Sequence, residues 1–174
     1  GAGRVLEFDG DGRRDLLAQG PGSPATWFVH QSNGTGAFLT AINTGLTTAT
    51  VPAPLVTDVD GDGLDDLVYA RDYLVHIRRN TGAGFGPELT TSVGTTINGG
   101  ATLLPLPAGA GGAPDFDGDG RQDLLIMRGT LSLSGPPWYY EGFLSTGTGF
   151  QSLFTTPAAF DAVALDLNGD GLTD

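Results

Sequence analysis

The sequence concentrates its carboxylates in a short motif that occurs four times. The clearest copy, DVDGDGLDDLV at residues 58–68, carries five carboxylates and two glycines. Unit charges about 4 Å apart repel by roughly 1 kcal/mol in water and by more near a protein surface. Such crowding indicates that a cation binds among these side chains.

Oxygen donors recur at every second position of the motif. Positions 1, 3, 5 and 9 offer side-chain oxygens, position 7 offers its main-chain carbonyl, and position 6 is a glycine at which the backbone can turn sharply. Hard oxygen ligands in this number suit calcium, whereas magnesium requires a stricter octahedron and retains water. The pattern therefore predicts up to four Ca²⁺ sites.

The four predicted sites are named loops 1 to 4. Loop 1, residues 7–15, offers Glu7, Asp9, Asp11, the Arg13 carbonyl and Asp15. Loop 2, residues 58–66, offers Asp58, Asp60, Asp62, the Leu64 carbonyl and Asp66. Loop 3, residues 115–123, offers Asp115, Asp117, Asp119, the Arg121 carbonyl and Asp123. Loop 4, residues 166–174, offers Asp166, Asn168, Asp170, the Leu172 carbonyl and Asp174. The first positions are 51, 57 and 51 residues apart, a period typical of propellers, solenoids and arrays.

Two other interpretations of the motif are less consistent with the sequence. An EF-hand requires a bidentate Glu at position 12 and a helix on each side, but position 12 is Ala18, Tyr69 or Ile126, and loop 4 ends at position 9. The runs that follow position 9, such as LLAQG and LVYAR, are short and apolar, as in buried strands. Solvated Asp-Gly turns would not explain why position 9 is Asp in every copy.

A second motif recurs downstream of loops 1 to 3. It reads SNGTGAF at 32–38, RNTGAGFG at 79–86 and LSTGTGF at 144–150. Aromatic and β-branched runs precede these turns, as expected of sheets, and the glycines permit tight hairpins. We expect Phe38, Phe85 and Phe150 to be core anchors between neighbouring sheets. Core packing is also preferred over sugar stacking for five further aromatic residues: Trp27, Phe28, Trp138, Tyr139 and Tyr140.

Together the two motifs make the chain resemble the FG-GAP or VCBS repeats of integrin-α-type β-propellers. The resemblance covers essentially the whole chain, and it implies an all-β fold in blades of four antiparallel strands, with calcium in the hairpin between the first two strands. It implies one propeller segment over residues 1–174, with three repeats and the start of a fourth, as part of a larger propeller. The approximate repeats are 1–51, 52–108, 109–159 and the partial repeat 160–174.

Third-repeat prolines and the partial fourth repeat depart from this pattern. Pro105, Pro107 and Pro114 precede loop 3, and proline cannot donate to a central strand ladder, so we expect a short, bulged or displaced first strand there. The segment 162–174 has the alternation of a first strand and its loop without a second strand to pair with it. Unpaired edges favour association, so we expect either further blades in the parent chain or self-association through edge strands.

Composition narrows the function classes. Of the twenty acidic residues behind the net charge of −12, sixteen lie in the four loops, so the charge by itself implies no basic partner. The chain is acidic and has eight Arg and no Lys, which argues against nucleic-acid binding. No apolar run is long enough for membrane insertion, and cysteine is absent. The Arg-only, Ala-rich and Gly-rich composition suggests a bacterial source.

The leading hypothesis is a calcium-stabilised binding or scaffold module of a secreted or cell-surface protein. The resemblance implies roles in adhesion, in binding a protein or carbohydrate ligand, or as the scaffold of a toxin component. No catalytic constellation stands out, so we expect no enzymatic activity. The alternative is a portion of a propeller-type polysaccharide lyase or hydrolase, which would need a cleft lined by unpaired Arg, His or Tyr away from the loops.

Overall fold

The described part of the chain is built entirely from antiparallel β-sheets. The computed structural model describes residues 3–51, 54–95, 101–103, 114–129 and 138–157, in which twelve strands form three separate four-stranded sheets. Blade 1 contains β1 (Arg4–Leu6), β2 (Asp15–Gln19), β3 (Thr26–His30) and β4 (Ile42–Thr47). Blade 2 contains β5 (Leu55–Thr57), β6 (Asp66–Arg71), β7 (Leu74–Asn80) and β8 (Phe85–Gly94). Blade 3 contains β9 (Ala101–Leu103), β10 (Leu124–Gly129), β11 (Trp138–Ser145) and β12 (Phe150–Pro157). The predicted all-β class and four-stranded blades are confirmed.

Blade 2 lies between the other two, and its alternating strand residues explain why. Leu67 and Tyr69 of β6 pack with Trp27 and other apolar side chains of blade 1. Val68, which points to the opposite face, packs with Leu124 and Ile126 of blade 3. Successive strand residues face opposite sides of a sheet. Both faces of β6 are buried, so the run Leu67–Tyr69 is apolar at every position instead of alternating with polar residues.

Loops 1 and 2 sit directly in the first hairpin of their blades. Leu6 pairs with Asp15 and Thr57 pairs with Asp66, so each loop begins where the first strand ends and closes where the second begins. The β3–β4 turn of blade 1 and the β7–β8 turn of blade 2 lie at this same end of the sheet, because antiparallel hairpins alternate between the two ends. The acidic loops and the second motif therefore share one end of each blade.

Blade 3 departs from this arrangement at its first strand. Leu103 pairs with Ile126, three residues beyond Asp123, and β9 precedes residue 109, where the third repeat was expected to begin. The Asp123 N–H instead donates to the Pro114 carbonyl at 2.5 Å. The displaced pairing of β9 agrees with the expectation drawn from the prolines, and Pro105 and Pro107 themselves lie outside the described residues.

The recurring aromatic residues do not all serve the core. Phe150 is 8% exposed and Phe85 packs against the core between blades 1 and 2, as expected. The expectation is wrong for Phe38, which is 53% exposed. It contacts His30 on the face of blade 1 opposite to the blade 2 interface, where no described element covers it. Among the other aromatic residues, Trp27 and Tyr140 are buried and Trp138 is exposed.

The fourth repeat, with loop 4 and the edge strand expected at 162–167, lies outside the described residues. Within the described ranges, no helix has the length and apolarity that a membrane span requires.

Candidate metal centres

Loop 2 shows how the motif turns its carboxylates inward. Gly61 and Gly63 have φ angles of 77° and 86°, which residues with a β-carbon rarely adopt. The Asp58 carboxylate accepts the Gly61 N–H at 2.8 Å and the Gly63 N–H at 2.9 Å. The Asp62 carboxylate accepts the Leu64 N–H at 2.8 Å. These local bonds fold the backbone around the acidic side chains and hold the carboxylates in place.

Loops 1 and 3 repeat these contacts. Asp115 accepts the N–H groups of Gly118 and Gly120 at 2.7 and 3.1 Å, whereas the longer Glu7 accepts the Gly10 N–H at 3.0 Å. The position 5 carboxylates, Asp11 and Asp119, each accept the position 7 N–H at 2.8 Å. Glu7 therefore keeps the bond to position 4 but lacks the bond to position 6 that Asp58 and Asp115 make.

The position 9 carboxylate ties each loop to the turn between the third and fourth strands. Asp66 is fully buried and accepts the Val59 N–H at 3.1 Å and the Asn80 N–H at 2.7 Å. Asp15 and Asp123 make the same pair of bonds in their blades. Burial raises the pKa of Asp66 to about 7 and that of Asp123 to about 6, against the opposing effect of these N–H donors.

Three groups of predicted ligands converge in the described loops. In each group, carboxylate oxygens lie within 4.8 Å of one another: Glu7, Asp9 and Asp15; Asp58, Asp60 and Asp62; Asp115, Asp117 and Asp123. Loops 1 and 3 thus bring together positions 1, 3 and 9, whereas loop 2 brings together positions 1, 3 and 5. The position 7 residues, Arg13, Leu64 and Arg121, are held beside position 5 by the bond from their N–H to its carboxylate. The five predicted ligands of loop 4 lie outside the described residues.

Asp60 in loop 2 differs from the other described carboxylates in having a buried oxygen that no hydrogen-bond donor reaches. Its Oδ1 atom is buried and accepts no hydrogen bond. Burial raises the pKa of Asp60, the nearby Asp62 and Asp58 raise it further, and Arg79, 3.2 Å from Oδ2, opposes them. A donor set made only of oxygens, one of them buried without a donor, fits a hard cation such as calcium. An ion held there would neutralise the crowded charge that the arginine only partly offsets.

Position 8 has a role that the sequence motif did not reveal. The Asp65 N–H donates to the Glu7 carbonyl at 2.8 Å, and the Glu7 N–H donates to Asp65 Oδ2 at 2.6 Å. In the next interface, Gln122 makes the same two bonds with Asp58, at 2.7 and 2.8 Å. Loops 2 and 3 are therefore each bonded through position 8 to position 1 of the preceding loop. The only sequence signal was a polar residue at position 8 in every copy.

The second motif supplies further contacts between blades. Asn80 Nδ2 donates to the Phe8 carbonyl at 2.9 Å, and Ser145 Oγ donates to the Val59 carbonyl at 2.6 Å. Arg79 Nε donates to the Gly147 carbonyl of blade 3 at 2.9 Å. These side chains follow aromatic strands and precede glycine turns, so sequence reasoning interpreted them only as turn residues.

Four-stranded antiparallel blades, each with an acidic loop at one end, define a β-propeller-type module. Two overlapping stretches, residues 8–69 and 58–126, match the family model described as FG-GAP-like repeat. These matches span more than half of the sequence, and the chain belongs to the FG-GAP-like repeat family. The resemblance drawn from the two motifs is thereby confirmed. No curated protein matches the chain.

Proposed function

We propose that the chain is a calcium-stabilised β-propeller segment that serves as a binding or scaffold module. The observation that carries this proposal is the convergence of three carboxylates in each of loops 1, 2 and 3, with the unpartnered Asp60 Oδ1 in one of them. Calcium would be held by the convergent oxygens and would neutralise them. Its role is structural, because it binds the folded loop and not the unfolded chain.

The position of the loops explains why an ion would stabilise more than one hairpin. Glu7 and Asp58 occupy position 1 of loops 1 and 2, and the main chain of each is bonded to the following blade through Asp65 and Gln122. A cation that fixes position 1 would therefore also fix the surface on which the next blade docks. Calcium is proposed to rigidify the array so that it can present a ligand surface.

The proposed setting is extracellular, in a secreted or cell-surface protein. Extracellular calcium modules bind with Kd values of about 10⁻⁴ to 10⁻³ M, which cytosolic calcium would not fill. The proposed partners are a protein or carbohydrate ligand, further blades of the parent chain, or a second copy joined through edge strands. Adhesion and the scaffolding of a toxin component are both consistent with such a module.

An enzymatic role would need reactive side chains that are free to act. Tyr69, Arg71 and His76 do gather on blade 2, but Tyr69 Oη donates to Glu88 at 2.6 Å and Arg71 pairs with the same carboxylate. His76 Nε2 lies 2.9 Å from the Arg71 carbonyl and Nδ1 lies 3.3 Å from Glu88 Oε1, so both ring nitrogens have partners. This cluster favours a structural role, and a propeller-type lyase or hydrolase remains the weaker proposal.

Calorimetric titration of the full chain with Ca²⁺, paired with melting curves in calcium and in chelator, tests the proposal. We expect saturable binding, a higher melting temperature in calcium, and a weaker response to Mg²⁺. Asp62→Asn should remove one site, because Asp62 is one of the three convergent carboxylates of loop 2.

Asp72→Asn is the matched control for this titration. It makes the same charge change in the β6–β7 turn, where Asp72 is 81% exposed and its φ of 49° suits Asn. It should bind calcium as the unmodified chain does. An unmodified chain with no binding heat and identical melting curves in calcium and chelator would reject calcium stabilisation.

A further inference from the structure

Position 7 of the motif alternates between two kinds of side chain. It is Arg13 in loop 1, Leu64 in loop 2, Arg121 in loop 3 and Leu172 in loop 4, which lies outside the described residues. Only the carbonyl of this residue belongs to the proposed ligand set, so the alternation of its side chain needs another explanation.

The two described arginines make matching contacts. Arg13 Nη2 pairs with Asp11 Oδ2, and Arg13 Nε donates to the Ser32 carbonyl at 3.3 Å. Arg121 Nη2 pairs with Asp119 Oδ2, and its Nε donates to the Ser145 carbonyl at 3.1 Å. Each guanidinium thus bridges the position 5 carboxylate of its loop to the neighbouring turn, and it places a positive charge at the edge of the acidic group.

The carboxylates that form the convergent group differ between loops with and without arginine at position 7. In loops 1 and 3, where Asp11 and Asp119 are paired with arginine, the convergent group contains position 9 and not position 5. In loop 2, where position 7 is Leu64, Asp62 joins Asp58 and Asp60. Asp11 and Asp119 are thus paired with arginine and lie outside their convergent groups, whereas the position 5 carboxylate of loop 2 belongs to its group.

Loop 2 has its own nearby cation, but in a different place. Arg79 Nε lies 3.2 Å from Asp60 Oδ2, and it also donates to the Gly147 carbonyl of blade 3. Asp60 Oδ1 remains buried without a hydrogen-bond partner, and position 5 is not engaged by this arginine. Loop 2 consequently offers an ion a buried oxygen of Asp60 and a position 5 carboxylate, Asp62, that has no arginine partner.

We propose that the side chain at position 7 sets the calcium affinity of each loop, with arginine acting as a built-in competitor for the position 5 carboxylate. Loops 1 and 3 then bind calcium more weakly than loop 2. The inference rests on the proposed calcium function. The arginine pairs are partly exposed, with Arg13 at 48% and Arg121 at 36%. Exposed pairs of this kind contribute little stability to the metal-free fold, so the arginine acts mainly on affinity, through repulsion between its positive charge and a bound divalent ion.

Exchange of the two residue types tests the proposal by calorimetric titration with Ca²⁺ on the full chain. Arg13→Leu and Arg121→Leu should each move one site from the weak class to the tight class. Leu64→Arg should move one site in the opposite direction. Each transferred site should change its Kd by about tenfold, the size expected for one unit charge acting on a nearby divalent ion in a solvent-exposed setting.

Two controls make the same side-chain changes away from position 7. Arg4→Leu alters net charge as Arg13→Leu does, but Arg4 lies on β1. Leu153→Arg matches Leu64→Arg, and Leu153 is 46% exposed on β12. Both should leave the two site classes as they are, and melting curves of every variant check that it is folded.

The outcomes separate this inference from the function on which it rests. A chain without any calcium binding would reject both. Binding in a single class, or position 7 variants that behave like Arg4→Leu and Leu153→Arg, would leave calcium binding intact and overturn the role of position 7. Transfer of one site for each exchange, in opposite directions for the two residue types, supports it.

Discussion

The carboxylate of Asp65 in blade 2 accepts the main-chain N–H of Glu7 in blade 1 at 2.6 Å, and the Asp65 N–H donates back to the Glu7 carbonyl at 2.8 Å. Glu7 is position 1 of loop 1, so its main chain is held by the next blade while its side chain belongs to a convergent acidic group. The packing of adjacent blades and the shape of the metal loop therefore depend on the same residue.

Asp65→Ala should lower the free energy of unfolding by about 1–3 kcal/mol, because the Glu7 N–H would lose its acceptor at a partly buried position. Asp65→Asn retains an oxygen acceptor and should cost less. Urea unfolding of both variants measures the difference, with Asp72→Asn in an exposed turn as the control. Equal stability of Asp65→Ala and Asp65→Asn would mean that the acceptor contributes nothing.

The parts of the fold that sequence could predict are local. A loop of nine residues contains the carboxylates, N–H groups and glycines that fold it, so the motif predicted its conformation. The strands were predicted from short apolar runs. The contacts between blades could not be predicted in this way. Asp65 and Glu7 are 58 residues apart, Arg79 and Gly147 are 68 apart, and Ser145 and Val59 are 86 apart.

The incorrect assignment of Phe38 has the same origin. The motif places it like Phe85 and Phe150, but burial depends on which sheet covers that side of the blade. The described part of the chain supplies a neighbour for one face of blade 1 only, so Phe38 is exposed. The pairing of Arg13 and Arg121 with the position 5 carboxylates was likewise not predicted, because only the carbonyls of these two residues were considered as ligands.

Asp60→Asn should affect the metal-free and calcium-loaded protein in opposite directions. The pKa of Asp60 is raised, chiefly by burial and then by the nearby Asp62, so its charged form is unfavourable in the metal-free fold. Removal of this charge should raise the melting temperature in chelator, because relief from burial and from the repulsion of Asp62 and Asp58 outweighs the lost pairing with Arg79. The same change removes a charged ligand oxygen and should reduce the stabilisation by calcium. A decrease in both conditions would contradict this reasoning.

Glu88 should make the protein sensitive to acid. Burial raises the pKa of the Glu88 carboxyl, but hydrogen bonds from Tyr69 and Arg71 lower it by more. The pKa of Glu88 therefore lies below the ordinary value of 4.5. A lowered carboxyl pKa contributes stability above pH 4.5 that is lost as the pH falls through the folded-state value.

Unfolding free energies of the unmodified chain and Glu88→Gln, measured from pH 7 to pH 3, test this expectation. The unmodified chain should be more stable by about 1–3 kcal/mol near neutral pH, and the two curves should converge in acid. A stability difference that does not change with pH would show that the contribution of Glu88 is unrelated to its ionisation.

Calcium should slow hydrogen exchange at the boundaries between blades. The N–H groups of Asp65 and Gln122 donate across blades to the carbonyls of Glu7 and Asp58, which are position 1 residues of loops 1 and 2. If ion binding fixes position 1, these amides should exchange more slowly in calcium than in chelator, by about tenfold or more if the boundary opens locally. The Thr95 N–H, which donates to Tyr73 at the opposite end of blade 2, provides an internal reference.

Exchange measured by mass spectrometry on peptides covering 58–68 and 115–125 should therefore respond to calcium more strongly than the peptide containing Thr95. A uniform response at all three places would indicate that calcium stabilises the whole fold without a special effect at the blade boundaries.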